Sequence, residues 1–370
     1  MSPAALPTAL RQRIGRVVVD ASVATSELAC RVRRALPEAA WHVRTPEEPA
    51  PCDAHTLYLK DFRGRFLRPC PGTSQYRCCG YHILHIGENC PLACSYCILQ
   101  AYFDDPTLKV WANWDDLEAE VTSALQASAQ RRWRLGTGEF TDSLALESIT
   151  GMSAALIRML EPFANAVLEL KSKVVDLSWL AHVRDPRRVL PAWSVNAPDV
   201  VESEEHGPRA SLEERLAAAK ACAHAGLRVC LHFDPILHYP GWERGYRHAV
   251  TAIADTLRPE QVAYISLGSF RCMPQLKSRI QERFPSARYI HAEMIQGLDG
   301  KLRLLRPLRV QQLAFVAGLL RKAGFGSKLY LCMESDLVWR AVLGTTPQDF
   351  GGLARRLEAL AFGDDEGLRR

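Results

Sequence analysis

Two hydrophobic periods alternate along the middle of the chain. Short, nearly continuous apolar runs fall at Tyr81–Ile86, Arg132–Phe140, Ala166–Val174, Val189–Asn196, Arg228–Leu237 and Val262–Phe270. Runs of that length bounded by turn residues read as buried strands. Between them lie segments with apolar residues at helical spacing: Trp114–Gln130, Ser148–Leu160, a shorter one near Leu177, one opening at Ser211, Glu243–Leu257 and Gln275–Phe284. Ser211-Leu-Glu-Glu214 is a capping box and Gly226 a helix stop. Asp115 and Asp116 sit in the first turn of their helix, where the macrodipole favours acids. Strands alternating with helices of ten or more residues predict βαβ units and a parallel sheet. Right-handed crossovers then curl six such units into a partial (β/α)6 barrel of the TIM type. A helix over Val310–Ala323 and a strand over Lys328–Met333 are expected to close or cover one edge.

The flanks read differently. Residues 1–68 form an N-terminal extension, with a helix over Ala24–Leu36 stopped by Pro37 and a loop at Glu47–Pro51. This extension is expected to pack across one opening of the barrel domain, residues 69–345. Residues 346–370 read as a charged, solvated C-terminal tail.

Composition narrows the class. The chain has 370 residues, 48% hydrophobic, which is ample for one large domain with extensions or for two domains. A net charge of +5 is mildly basic, compatible with nucleic acid and not diagnostic of it. Twelve cysteines without a secretory segment point to a reducing cytoplasm, where thiols serve as ligands rather than bridges. No run reaches the ~18 apolar residues of a membrane span. The first 21 residues carry Arg11, Arg13 and Arg16 but no apolar core of a signal peptide, so they read as mature protein.

The chemistry concentrates in Cys90-Pro-Leu-Ala-Cys94-Ser-Tyr-Cys97. Three thiols at C-x3-C-x2-C can hold three irons of a [4Fe–4S] cube and leave the fourth iron open to a small molecule. A Cys3His zinc site with His85 as fourth ligand is the competing reading, and three free thiols the plain one. No second C-x2-C pair exists to complete a zinc knuckle. Cys70, Cys78 and Cys79 form a second thiol-rich stretch that suits a metal, a redox pair or simple packing. The other strands also end in polar residues: Gly136–Asp142, Lys171 and Lys173, Ser194–Asn196, His232–Pro235 and Gly268–Cys272. Barrel chemistry sits at the C-terminal ends of the strands, so these residues describe one polar mouth.

The cysteine spacing resembles that of the radical S-adenosylmethionine (SAM) superfamily, and the barrel is then expected to be of the radical SAM kind. Further stretches resemble the spore photoproduct lyase family, a radical SAM group that reverses a methylene-bridged thymine dimer in DNA. They are Cys90–Gln100, Thr141-Asp142 with Ile149-Thr150, Lys171, Ser194-Val-Asn196 and Gly241-Trp-Glu-Arg-Gly-Tyr-Arg-His248, spanning roughly residues 80–250. The resemblance implies a [4Fe–4S] cluster on Cys90, Cys94 and Cys97, and SAM as cofactor. Thr141, Lys171 and Ser194 are implied as SAM contacts, with Asn196 beside them. Gly138-Glu139 is similar to the Gly-Glu element that receives the SAM ammonium. DNA is the implied substrate, and a flavodoxin or ferredoxin the implied electron donor. Two positions depart from the family. Glu139 stands where the lyase has a hydrogen-donating cysteine, and Ile98 where it has a tyrosine. Tyr96 remains, and Cys272 and Cys332 are the thiols best placed by strand position to take over. The basic stretch Gly300–Arg309 is a candidate for phosphate contacts. Two alternatives stay open: the same chemistry on a non-DNA substrate, and a non-catalytic, zinc-stabilised nucleic-acid-binding protein.

Overall fold

The computed structural model describes residues 10, 13–73 and 75–364; the reading of residues 1–9, Arg11 and the last six residues falls outside them. The chain opens with three strands that the periodicity analysis did not find. They are β1 (Arg16–Asp20), β2 (Ala40–Arg44) and β3 (Thr56–Lys60), all parallel. Val17, Val18 and Val19 are all buried, as a strand covered on both faces requires. β2 by contrast is short and half-exposed, with Trp41 and Val43 its only large apolar residues, so its pattern is weak. The intervening helix, Glu27–Ala35, appears where expected, capped by Ser26 accepting from the Ala29 amide at 3.2 Å.

The chain then makes β4 (Leu67–Pro69), β5 (His82–Leu84), β6 (Gly87–Glu88) and β7 (Leu108–Trp111). β7 pairs parallel with β3 and antiparallel with β6, so the N-terminal sheet is ordered β2-β1-β3-β7-β6. The N-terminal region thus shares a sheet with the segment that follows the cysteine loop.

The main sheet is built from β5, β8 (Trp133–Gly136), β9 (Ala166–Ser172), β10 (Val189–Ser194), β11 (Val229–Ile236) and β12 (Val262–Ser269). Two short strands, β13 (Arg271–Cys272) and β14 (Met294–Gln296), and then β15 (Leu302–Leu304) form an antiparallel trio beside it. The last strand, β16 (Leu329–Leu331), pairs with β12. The order β16-β12-β11-β10-β9-β8-β5-β4 is parallel from β5 to β16, with β4 antiparallel at one end. Each strand sits beside its successor, so the sheet curls into an open barrel, as the periodicity predicts. β4 and β16 are its two unjoined edges. The capping box forms: Ser211 Oγ accepts from the Glu214 amide at 3.1 Å, and Glu214 Oε2 from the Ser211 amide at 2.7 Å.

Two expectations are corrected. Residues 353–362 are not solvated tail but a helix with Leu353, Leu357 and Leu360 buried. The stretch 300–309 is not a basic face. Arg303 is buried, paired with Asp299 at 2.7 Å and stacked 3.9 Å from the Tyr76 ring centroid. Arg309 is buried against Glu334 at 2.9 Å. Both cations are neutralised inside the fold, leaving Arg306 exposed and Lys301 half-buried.

Candidate active site

The cysteine loop leaves β6 through backbone that most residues avoid. Asn89 has φ of 68° and Ala93 a φ of 47°, and a non-glycine residue in this region persists only where its surroundings over-determine it. Here they do. Asn89 Nδ2 donates to the carbonyls of Asp105 and Thr107 at 2.7 and 2.8 Å. Gln100 Nε2 donates to those of Cys94 and Ser95 at 3.1 and 2.9 Å. Gly207 closes the loop from outside: a Cβ there would lie 2.5 Å from the Leu92 backbone. Below the loop, the buried Ser95 hydroxyl donates to Glu204 at 2.6 Å. Tyr96 donates to Glu205, which is fully buried against Arg215.

Cys90, Cys94 and Cys97 line one cavity of about 630 Å³ at the C-terminal ends of the strands. Burial pushes all three thiols up, Cys94 to about 12. They therefore rest protonated until something replaces the protons, as metal binding does. Three soft sulfur donors without a fourth suit a cluster with one open corner. Among the described residues no three His, Cys, Asp or Glu side chains are grouped closely enough to hold a single metal ion. His85, the candidate fourth zinc ligand, is elsewhere. Its ring is boxed by Phe62, Trp111 and Phe140 at 5.1, 5.2 and 4.7 Å between centroids, and burial lowers its pKa to about 3.

Gly138, Glu139, Thr141, Lys171 and Ser194 line the same cavity; Asn196 does not. Asn196 is buried, donates to the Pro235 carbonyl at 3.0 Å and accepts from the Tyr246 hydroxyl at 2.5 Å, so it ties the C-terminal ends of β10 and β11 together. Lys171 Nζ is 2.7 Å from Glu139 Oε1. Burial works against this ammonium, but the Glu139 carboxylate overrides it and holds the pKa up. A Cβ at Gly138 would lie 3.0 Å from the Lys171 side chain, so the pair packs directly on the turn. The other lysine lining the cavity is Lys173, a residue the family resemblance did not carry over. It lies two positions further along β9's line, faces Cys94 and sits 5.5 Å from the Tyr96 ring centroid. Burial lowers its pKa, and Cys94 and Glu205 more than restore it. No carboxylate among the described residues lies within 4.0 Å of its ammonium. Asp142 fixes the turn, accepting from Ser172 Oγ at 2.7 Å and the Lys173 amide at 2.9 Å.

The three catalytic candidates separate. Tyr96 lines the cavity with its hydroxyl committed to Glu205. Cys272 is fully buried away from the cavity, its thiol pushed up to about 11 by burial. Cys332 lies behind the wall, 3.6 Å from Arg271 Nη2, while Arg271 and Asp234, themselves 3.0 Å apart, line the cavity.

An open barrel of successive β/α units, with three cysteines gathered on the loop after its first strand, defines a radical SAM protein. Its place within that class follows from comparison. The spore photoproduct lyase family model matches residues 75–296, more than half of the chain, and the chain belongs to that family. A spore photoproduct lyase of Clostridium acetobutylicum is 23% identical over 238 residues, covering 63% of this chain and 68% of that protein. The Bacillus subtilis enzyme of the same name is 24% identical over 214 residues, covering 56% of this chain and 61% of that protein. The chain therefore spans about two thirds of these relatives. Among solved structures, a spore photoproduct lyase double mutant with bound AdoMet (SAM) and dinucleoside spore photoproduct matches with a TM-score of 0.73. That match has 18% identity and covers 87% of this chain and 98% of the other. The likeness at that identity is one of fold. No described helix is long and apolar enough to cross a membrane.

Proposed function

We propose that this protein is a radical SAM enzyme that repairs a lesion of the spore photoproduct kind in DNA. The observation that carries the reading is the convergence of three thiols and one uncommitted ammonium, Lys173, on a single cavity. When bound, a [4Fe–4S] cluster and SAM supply the one-electron sulfonium cleavage that yields a 5′-deoxyadenosyl radical. Cys90, Cys94 and Cys97 hold the cluster. Lys173, with Thr141 and Ser194, meets the SAM carboxylate, while Lys171 is held by Glu139. Tyr96 and Glu205 keep the loop registered over Arg215, whose Nη1 donates to the Ser194 carbonyl at 3.0 Å. The electron comes from a flavodoxin or ferredoxin.

A second reading keeps the chemistry and changes the substrate. The Glu139–Lys171 ion pair fills the place of the family's hydrogen-donating cysteine, and an ion pair suits a polar, non-DNA substrate. One experiment decides between them. Anaerobically reconstituted protein is incubated with SAM, a reductant and ultraviolet-irradiated spore-form DNA, and 5′-deoxyadenosine and lesion are followed by mass spectrometry. Lesion loss coupled to 5′-deoxyadenosine supports repair. Formation of 5′-deoxyadenosine with the lesion untouched transfers support to the second reading, and absence of bound iron defeats both.

A further inference from the structure

The stretch Gly241-Trp-Glu-Arg-Gly-Tyr-Arg-His248 resembles the family, yet none of its residues lines the cavity. It opens the helix Trp242–Thr256, which packs against the helix Pro198–Glu204. Gly245 permits the close approach. A Cβ there would lie 2.7 Å from Ala197 Cβ, 2.7 Å from Asp199 Oδ1 and 2.6 Å from Tyr239 Oη. The approach brings the next residue, the fully buried Tyr246, to the ends of β10 and β11. There its hydroxyl closes a ring of hydrogen bonds. The Leu237 amide donates to Tyr246 Oη at 2.7 Å, and Tyr246 Oη donates to Asn196 Oδ1 at 2.5 Å. Asn196 Nδ2 then donates to the Pro235 carbonyl at 3.0 Å. Pro235 and Leu237 flank Ile236, so the ring closes through the end of β11. Its direction is fixed: the Tyr246 oxygen accepts the Leu237 N–H, so its own proton goes to Asn196. Asn196 Oδ1 also accepts from the Ala197 amide at 3.1 Å. A buried polar network satisfied in this way rigidifies what it joins. What it joins faces the cavity: Asp234 and Pro235 on one strand end, and Ser194, two residues before Asn196, on the other.

We propose that Tyr246 is a positioning residue for the SAM-binding wall: through Asn196 it holds Ser194 and the Asp234–Pro235 segment in place against the cavity, without touching SAM itself. This rests on the radical SAM reading proposed above. Removing the hydroxyl leaves the Leu237 amide without its acceptor and Asn196 Oδ1 without its side-chain donor, so the two strand ends lose their common tie. The cysteine loop keeps its own supports, because Glu204, Glu205 and Gly207 make no bond to this ring. The loss therefore falls on SAM and not on the cluster.

The test measures SAM binding to anaerobically reconstituted full chain by calorimetry, without reductant, beside iron per chain and the urea midpoint. Tyr246→Phe and Asn196→Asp are each expected to raise the SAM dissociation constant by roughly three- to tenfold, the worth of one hydrogen bond. The double variant is expected to bind no more weakly than the weaker single one, since both break the same ring. Iron per chain stays at the wild-type value. Tyr58→Phe is the control: it removes an equally buried hydroxyl, bonded to Asp20 at 2.7 Å in the N-terminal sheet. It is expected to lower the urea midpoint and leave SAM affinity unchanged. Unchanged SAM affinity in Tyr246→Phe, whatever its stability, reduces the residue to a structural role and overturns the proposal. So does a loss confined to Asn196→Asp, which would make Asn196 the direct contact, an equal loss in Tyr58→Phe, or a loss of iron in Tyr246→Phe. Should Tyr246→Phe fail to fold, Gly245→Ala decides in its place: it pushes the helix off Ala197 with every hydroxyl kept, and unchanged SAM affinity again overturns the proposal. Wild-type protein that takes up iron but binds no SAM is a different failure, in which the radical SAM reading falls and the positioning role falls with it.

Discussion

Two lysines two residues apart on one strand have different jobs because of what each touches. Lys171 is neutralised by Glu139 at 2.7 Å, whereas no carboxylate among the described residues lies within 4.0 Å of the Lys173 ammonium, which feels Glu205 and Asp142 only at longer range. A hydrogen bond to a charged group is worth about 1.5–3 kcal/mol, and about 1.4 kcal/mol is a tenfold change in affinity. Lys173→Met is therefore expected to weaken SAM binding by at least about tenfold, and Lys171→Met by less, when binding to reconstituted protein is measured calorimetrically. Equal losses would reverse the assignment. His85 makes a separate point. Its two ring nitrogens find no hydrogen-bond partner, and burial first, then Arg68, lowers its folded pKa to about 3. An unfolded histidine titrates near about 6.5. Above that pH neither state is protonated and His85 costs nothing. As the pH falls below it, the unfolded chain takes up a proton that the folded chain refuses, and stability drops by about 1.4 kcal/mol per unit. His85→Phe, which keeps the aromatic box filled, is expected to flatten urea midpoints measured between pH 7 and 5.

The cysteine loop is an element whose shape is set mainly by neighbours distant in sequence. Its thiols were legible at once, because C-x3-C-x2-C is a local pattern. What holds the loop was not: Glu204, Glu205, Arg215 and Gly207 come from more than a hundred residues away, and nothing local marks Gly207 as touching Leu92. The strands from β8 to β12 were legible because their apolar runs are long and their helices strongly patterned. β1 to β3 were not, since five-residue strands carrying Arg44, Lys60 or His42 show little periodicity. Lys173 was visible as a lysine but not as the free one, since only the fold reveals that Glu139 reaches Lys171. Glu205 and Arg215, both fully buried, give the loop its most sensitive support. Breaking a buried ion pair by removing one charge costs about 3–5 kcal/mol. Glu205→Gln is expected to lower the thermal midpoint and, by releasing Tyr96, to reduce iron per chain after reconstitution. Gly207→Ala is expected to reduce iron loading with a smaller stability loss of about 1–3 kcal/mol, typical of overpacking. Full iron loading in both variants would show that the loop forms without these supports.

The whole molecule is a sheet left open along one seam, and its ends must be covered by something. The helix Leu353–Phe362 covers part of one end. Arg228, at the start of β11, donates from Nη2 to the Ala361 carbonyl at 2.7 Å and from Nη1 to that of Leu360. Gly80, ahead of β5, fits against Ala354, where a Cβ would lie 2.6 Å away. The last helix thus touches both the first barrel strand and the middle of the sheet, even though the sequence before it reads as polar and turn-like. Burying Leu353, Leu357 and Leu360 contributes about 5–9 kcal/mol at about 1.5–3 kcal/mol per side chain, comparable to the net stability of a whole domain. Truncation before Pro347 is therefore expected to abolish a single cooperative unfolding transition, and Leu357→Ala alone to cost about 2–5 kcal/mol. A solvated tail would leave both unchanged. The measurement is a urea titration followed by far-ultraviolet circular dichroism. The comparison that matters is between truncation and Leu357→Ala: if the helix closes the barrel, the point substitution reproduces part of the truncation's loss in the same transition.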